Sequence, residues 1–229
     1  MSLYTPFPDD TFQKQGILLV FVFYYFKVIT YVMNSLHRPR LIFVTNNKHK
    51  FEEISHVIGE MVELQSLADI GFEGELPEEQ GTLEGNAAQK AFLIYDRYGV
   101  NCFADDTGLE IEALLGEPGV HSARYAGINC SFEDNVNKVL LKMAGKVNRG
   151  ARFRTVIALI ENGNLRFFQG EVRGMIITEK RGSKGFGYDP IFRPVGYQQT
   201  FAEMSLDDKN LISHRAMAVN TLLAYISQT

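Results

Sequence analysis

Asp105 and Asp106 stand side by side in Cys102-Phe103-Ala104-Asp105-Asp106-Thr107-Gly108-Leu109-Glu110. The apolar run Val100 to Ala104 leads into the pair, so the carboxylates are predicted at a strand end, in a Thr-Gly turn. An amphipathic segment (Leu109, Ile111, Leu114, Leu115) follows it. Adjacent carboxylates at a strand end can hold a hard cation and still leave an oxygen free to orient water. The same composition also makes an ordinary solvated turn, and the dipeptide alone does not choose between them.

Three further stretches carry chemical potential. Thr45-Asn46-Asn47-Lys48-His49-Lys50 follows the apolar run Arg40 to Val44 and precedes Phe51, Ile54, Val57 and Ile58 at helical spacing. This places the polar run on a strand–loop–helix junction, where free N–H groups and the helix dipole favour an anion. Two lysines there suggest phosphate contact, although a solvated helix cap has the same composition. Without glycines the loop is not a Walker A loop. In Gly182-Ser183-Lys184-Gly185-Phe186-Gly187-Tyr188-Asp189-Pro190, the glycines let backbone approach a flat ligand. Phe186 could stack on a base and Tyr188 or Asp189 could orient it; a tight structural loop around a buried Phe is the alternative. Ser213-His214-Arg215 opens the last helical segment with polar donors. Ser213 and His214 do not form a nucleophile pair, because sequence neighbours rarely present their side chains to one another.

The elements that must position these residues read as mixed. Val62 to Leu67 is a predicted strand, and Ile70 to Gly81 an acidic loop with Glu73, Glu75, Glu78 and Glu79, any of which could bring a further carboxylate. Helical spacing covers Asn86 to Tyr98, Asn135 to Met143, and the final segment with Met217, Val219, Leu222, Leu223 and Ile226. Arg152 to Glu161 and Leu165 to Val172 alternate as strands around Asn162-Gly163-Asn164, a hairpin signal. Strands and helices mix without strict alternation, so the expected fold is α/β or α+β with a long mixed sheet.

The 229 residues fit one globular domain, and a net charge of -4 provides no global basic field for nucleic acid. Cys102 and Cys130 form no Cys-x-x-Cys pair, which argues against zinc and disulfide frameworks and for a reducing, cytoplasmic setting. Residues 1–36 differ from the rest. Ile17 to Val32 is almost wholly apolar with Lys27 its only charge, shorter than the roughly 20 residues a spanning helix needs. It reads as an upstream extension ahead of Met33, a membrane anchor, or an added strand or helix; Met-Ser-Leu at the front also resembles an expression leader. The expected organisation is an atypical extension over 1–36 and a single catalytic domain over 37–229.

Taken together and in order, several segments resemble the Ham1-like inosine triphosphate pyrophosphatase family. They are Thr45 to Lys50, Leu76-Pro77-Glu78-Glu79-Gln80-Gly81, Asn86-Ala87, Ala104 to Leu109, Pro118-Gly119-Val120-His121-Ser122-Ala123-Arg124-Tyr125, Gly185 to Pro190, and Ser213-His214-Arg215. The resemblance covers about residues 40 to 227. It implies two lobes around a long central mixed sheet, a nucleotide in the cleft between them, and a homodimer. It also implies Mg²⁺-dependent hydrolysis of non-standard purine nucleotides (ITP, dITP, XTP) to the monophosphate and pyrophosphate. Two departures are visible: Asn46 replaces the usual Gly, and Thr107 stands where many members have Ser.

By the resemblance, Glu78 and Asp106 bind the metal, with Asp105 as support or a further ligand, and Asp106 is the general base. The implied substrate-binding set includes Thr45, Asn46, Asn47, Lys48, His49, Lys50 and Thr107; of these Lys48 or Lys50, with Thr45 and Asn47, would hold the triphosphate, and Arg124 and Lys209 are candidate additions to a positive rim. Phe186, Gly187, Tyr188, Asp189, His214 and Arg215 would receive the base. Arg215, or a protonated His214, could bond the 6-oxo group and mismatch adenine; guanine shares that oxygen and needs a separate contact to be rejected. Two rivals remain: a Maf-like pyrophosphatase with other base preference, and a non-catalytic nucleotide sensor tethered through Ile17 to Val32.

Overall fold

In the computed structural model, alternation along the strands decides what each sheet face buries. The structure describes residues 38–228. Strands β1 (Arg40–Phe43), β2 (Glu63–Gln65), β3 (Cys102–Ile111), β4 (Pro118–Gly119), β5 (Gly150–Glu161), β6 (Asn164–Ile176) and β7 (Phe192–Pro194) join in one sheet. Its order is β2-β1-β3-β5-β6-β7, with β4 paired to β3. The pairings β2–β1–β3 are parallel and the remainder antiparallel, so the sheet is mixed as expected. Helices are α1 (Lys48–Ile58), α2 (Leu83–Tyr98), α3 (Phe132–Lys142), α4 (Leu206–Ile212) and α5 (His214–Ile226).

On β3, Phe103 faces a core with Leu41, Phe43, Ile157 and Leu159 that is covered by α1 and α5. Its neighbours Cys102 and Ala104 face the opposite core, with Ala158 and Ile160, under α2. A third core lies at the far ends of the long strands, where Leu109, Ile111, Phe153, Val172 and Ile176 pack against Val136, Val139 and Met143 of α3. The first two cores make one lobe around the parallel strands, and the third makes the other. Residues Arg40–Thr229 belong to a single compact unit.

The order β2-β1-β3 puts the chain's crossovers on opposite faces of the sheet, α1 on one and α2 on the other. Such a reversal opens a crevice beyond the carboxyl ends of the parallel strands. Here β1 pairs only with Cys102 and Phe103, and β4 takes up the same edge of β3 only at Leu109 and Glu110. Between them, residues 104–108 have no strand on that edge.

One expectation is corrected. The Asp-Asp-Thr-Gly run is not a turn at a strand end: β3 continues through it to Ile111, paired throughout with β5. The turn composition is overridden because β5 offers a hydrogen-bonding partner along the whole length. Helix α2 also begins at Leu83, earlier than Asn86, because Thr82 accepts from Gly85 N–H as an N-cap. Among the described residues no helix is long and apolar enough to cross a membrane. The expectations for Ile17 to Val32 lie outside the described residues.

Candidate active site

Period-two alternation separates the paired carboxylates. Asp105 points with Phe103 toward α1 and α5, whereas Asp106 points with Ala104 toward α2. Asp105 is fully enclosed: Lys50 Nζ lies 3.0 Å from its Oδ1, the Thr107 hydroxyl donates to Oδ2 at 3.1 Å, and Arg215 Nε lies 3.5 Å away. Burial alone would push its pKa up, but Lys50, Arg215 and Lys90 prevail and hold it at about 2. Asp106 has different company. Asn86 Nδ2 donates to its Oδ2 at 3.0 Å, and Lys90 Nζ stands 3.4 Å from Oδ1 and 2.8 Å from Glu78 Oε1. Burial pushes the Asp106 carboxyl up against the pull of Lys90 and Lys50. Glu78 is lowered despite its burial, by Lys90, Lys50 and Arg124.

Glu78 and Asp106 reach the wall of a cavity of about 370 Å³ beside β3, whereas Asp105 does not. Thr45, Asn46, Asn47, Lys50, Thr107, Phe186, Gly187, Tyr188, Asp189, His214 and Arg215 line it too, along with Glu78, Lys90 and Asp106. Lys48, His49, Asp105, Arg124 and Lys209 are not among its lining residues. The N-terminus of α1 reaches the cavity through Asn47 and Lys50. Asn47 caps the helix, accepting from Lys50 N–H at 3.2 Å, and its first turn holds no acidic residue. Lysines there oppose the helix dipole unless an anion joins them. Asn46 Nδ2 donates to Gly74 O at 3.0 Å, tying this loop to the acidic loop across the cleft.

The glycine loop, which lines the cavity through Phe186 and Gly187, is braced by a buried network. Asp189 accepts from Phe186 N–H at 3.0 Å and pairs with Lys209 Nζ at 2.5 Å; Lys209 also meets Glu53 at 2.7 Å, and Glu53 binds Arg215. Gly185, at φ 69°, is required: a Cβ would lie 2.1 Å from Asp189 Oδ2. Lys209 is thus buried inside a network and is not part of a positive rim. Arg124 braces the acidic loop, donating to Glu78 O at 2.8 Å with Nη1 3.3 Å from its carboxylate. Tyr188 donates its hydroxyl to Ser122 O at 2.8 Å. His214 lies on the Phe153 ring, centroids 4.6 Å apart and 11° from parallel. Burial first, then Arg215, Lys209 and Lys50, drive its pKa well below 6.5. The protonated His214 expected as a base donor is therefore replaced by a neutral imidazole, and Arg215 carries the positive charge. Three of Arg215's five N–H donors serve Asp105, Glu53 and Thr107.

Sequence reasoning missed Lys90 and Glu53, and marked Asn86 only as part of a matching segment, without a role at the site. Leu83, Asn86, Ala87, Lys90, Ala91 and Ile94 form the buried stripe of α2, and a Lys within such a stripe was the available signal. The described cluster balances five cations (Lys50, Lys90, Arg124, Lys209, Arg215) against five carboxylates (Glu53, Glu78, Asp105, Asp106, Asp189).

No group of three or more His, Cys, Asp or Glu among the described residues is arranged for a metal ion. The two-carboxylate set still suits Mg²⁺, which uses one or two carboxylates and completes its shell with phosphate oxygens and water. Glu78 and Asp106, from different segments, already converge on one positive charge, the Lys90 ammonium.

Fold and site together define a mixed α/β protein whose cleft brings a lysine-bearing helix N-terminus and an aromatic ring to one cavity, and so can take a polyanion joined to a flat ring. The Ham1 family model matches residues 41–225, and the chain belongs to the Ham1 family. It is 51% identical over 188 residues to the dITP/XTP pyrophosphatase of Porphyromonas gingivalis, covering 82% of this chain and 97% of that one. It is 48% identical over 186 residues to that of Flavobacterium psychrophilum, covering 81% and 98%. Among solved structures, a HAM1 protein from Coxiella burnetii matches with TM-score 0.77 at 34% identity, over 83% of this chain and all of that one. The Staphylococcus aureus Ham1 protein matches with TM-score 0.75 at 35% identity, over 82% and 98%.

Proposed function

We propose that this protein is a nucleoside-triphosphate pyrophosphatase that hydrolyses ITP, dITP and XTP to the monophosphate and pyrophosphate, clearing non-standard purines from the nucleotide pool. The observation that carries the reading is the meeting of Glu78, Asp106 and Lys90 at the wall of a cleft that a lysine-bearing helix N-terminus and Phe186 also line. Relatives named dITP/XTP pyrophosphatases, matched over nearly their full length, support the reaction and the bases.

The neutral charge balance of the cluster cannot offset a triphosphate, which supports a divalent cation as cofactor. Mg²⁺ would be held by Glu78 and Asp106, where it supplies charge neutralisation and a more acidic water. Asp106 is the general base: burial raises its proton affinity, and Asn86 fixes its orientation through Oδ2. Lys50 and the α1 N-terminus draw negative charge onto the pyrophosphate leaving group. A spare Arg215 N–H donates to a 6-oxo group, where adenine would present a second donor. The family resemblance supports a homodimer, tested by light scattering for twice 25.9 kDa. The free Cys102 and Cys130 fit a reducing cytoplasm.

The test is pyrophosphate release from ITP, XTP, dITP, GTP and ATP, with and without Mg²⁺. Rapid release from the first three, slow release from the last two and none without the ion is the expected result. Equal release from all five would remove the base account, and none from any would return the chain to the non-catalytic reading.

A further inference from the structure

Three aromatic side chains from separate segments meet at the cavity mouth: His49 on the first turn of α1, Phe186 in the glycine loop, and Phe132 at the start of α3 in the other lobe. Phe186 lies nearly parallel to His49, centroids 5.3 Å apart and planes 13° from each other. Phe132 leans on Phe186 at 5.9 Å and 49°, and on His49 at 6.3 Å and 57°. Lys209 Nζ and Arg215 Cζ stand 5.2 and 5.4 Å from the Phe186 centroid. Phe132 and Phe186 line the cavity; His49 is stacked on Phe186 and is not among the lining residues.

Phe132 packs on His49 and Phe186 at the cavity mouth and not into a core. It is 45% exposed and belongs to none of the three cores. The helix start it occupies is already secured by the reciprocal capping box of Ser131 and Asp134. An aromatic ring left half open to solvent at the edge of a cavity, tilted against a second ring, is suited to a flat ligand. Tilted and offset rings 4.5–7 Å apart attract one another, and nucleobases stack on aromatic side chains whatever their edge groups.

We propose that Phe132 is the second aromatic wall of the base subsite, contacting a purine that lies against Phe186 and contributed by the opposite lobe. This rests on the nucleotide reading above. Because ring faces are alike across purines, Phe132 adds affinity without choosing among bases, and the choice stays with Arg215.

Phe132→Ala is expected to raise KM for dITP and XTP by roughly tenfold, within the range for loss of one base–aromatic stack. Its kcat should stay within about twofold, and the dITP to GTP preference should not change. The chain contains no Trp, so in Phe132→Trp the tryptophan emission, excited to the red of tyrosine absorption, comes from this site alone. IMP should change that emission saturably, and ribose 5-phosphate should not. An unaltered KM in a folded Phe132→Ala protein, or emission indifferent to IMP, would overturn the proposal. Wild-type pyrophosphate release from dITP, measured alongside, tests the reaction separately. If that is absent while IMP still moves the emission, the aromatic wall stands and the catalytic reading falls.

Discussion

At the residue scale, the site depends on one ammonium shared by two carboxylates. Asp106→Asn removes the base while keeping the Asn86 contact. It should lower kcat by about 10²–10⁴-fold and leave IMP affinity nearly unchanged, as checked by steady-state kinetics and calorimetric titration. Lys90→Met leaves Glu78 and Asp106 facing each other without their cation. Removing one member of a buried pair typically costs about 3–5 kcal/mol. Thermal melting should show that loss, together with a larger stabilisation by Mg²⁺ than in the wild type; equal Mg²⁺ shifts would contradict a shared cation position. Asp105, Asp106, Glu78 and Arg215 were legible because their motifs are local. Lys90 and Glu53 were not, because a charged residue on a helix is ordinarily solvated, and only tertiary packing turns it inward.

At the element scale, the hairpin at Asn162–Asn164 and the helical stripes of α1, α3 and α5 were readable from periodicity. The length of β3 was not, since Asp-Asp-Thr-Gly favours a turn locally and its strand state depends on a partner about 50 residues away. How closely β6 approaches α5 is likewise a long-range matter. A Cβ on Gly170 would lie 2.2 Å from His214 O and 2.6 Å from Ala218 N, both backbone atoms. Gly170→Ala should therefore destabilise the protein by about 1–3 kcal/mol, seen as a lower urea midpoint. The displaced start of α5, which carries His214 and Arg215, should weaken substrate binding as well.

At the scale of the whole molecule, stability should follow the buried titratable groups. The folded protein holds His214 neutral, with its pKa well below 6.5. As pH falls through 6.5 the unfolded chain takes up a proton the folded one refuses, so stability declines by up to about 1.4 kcal/mol per pH unit. His214→Phe keeps a ring against Phe153 and should flatten that slope in denaturation curves between about pH 6.5 and 5. Asp105 acts in the same direction at lower pH: its folded pKa of about 2 lies below the ordinary 3.8. Its stabilisation is full above 3.8 and fades as pH drops toward 2. By itself the sequence determined the chemical inventory and its order, because carboxylates, lysines, glycines and a stacking ring occur in short contiguous motifs. It also determined the mixed character of the sheet, through local periodicity. Only the tertiary structure decided which carboxylate faces the cleft, which cation each one holds, and that Phe132 from the far lobe meets Phe186. Those outcomes follow from strand alternation and from pairing between residues far apart in the chain, which no local pattern contains.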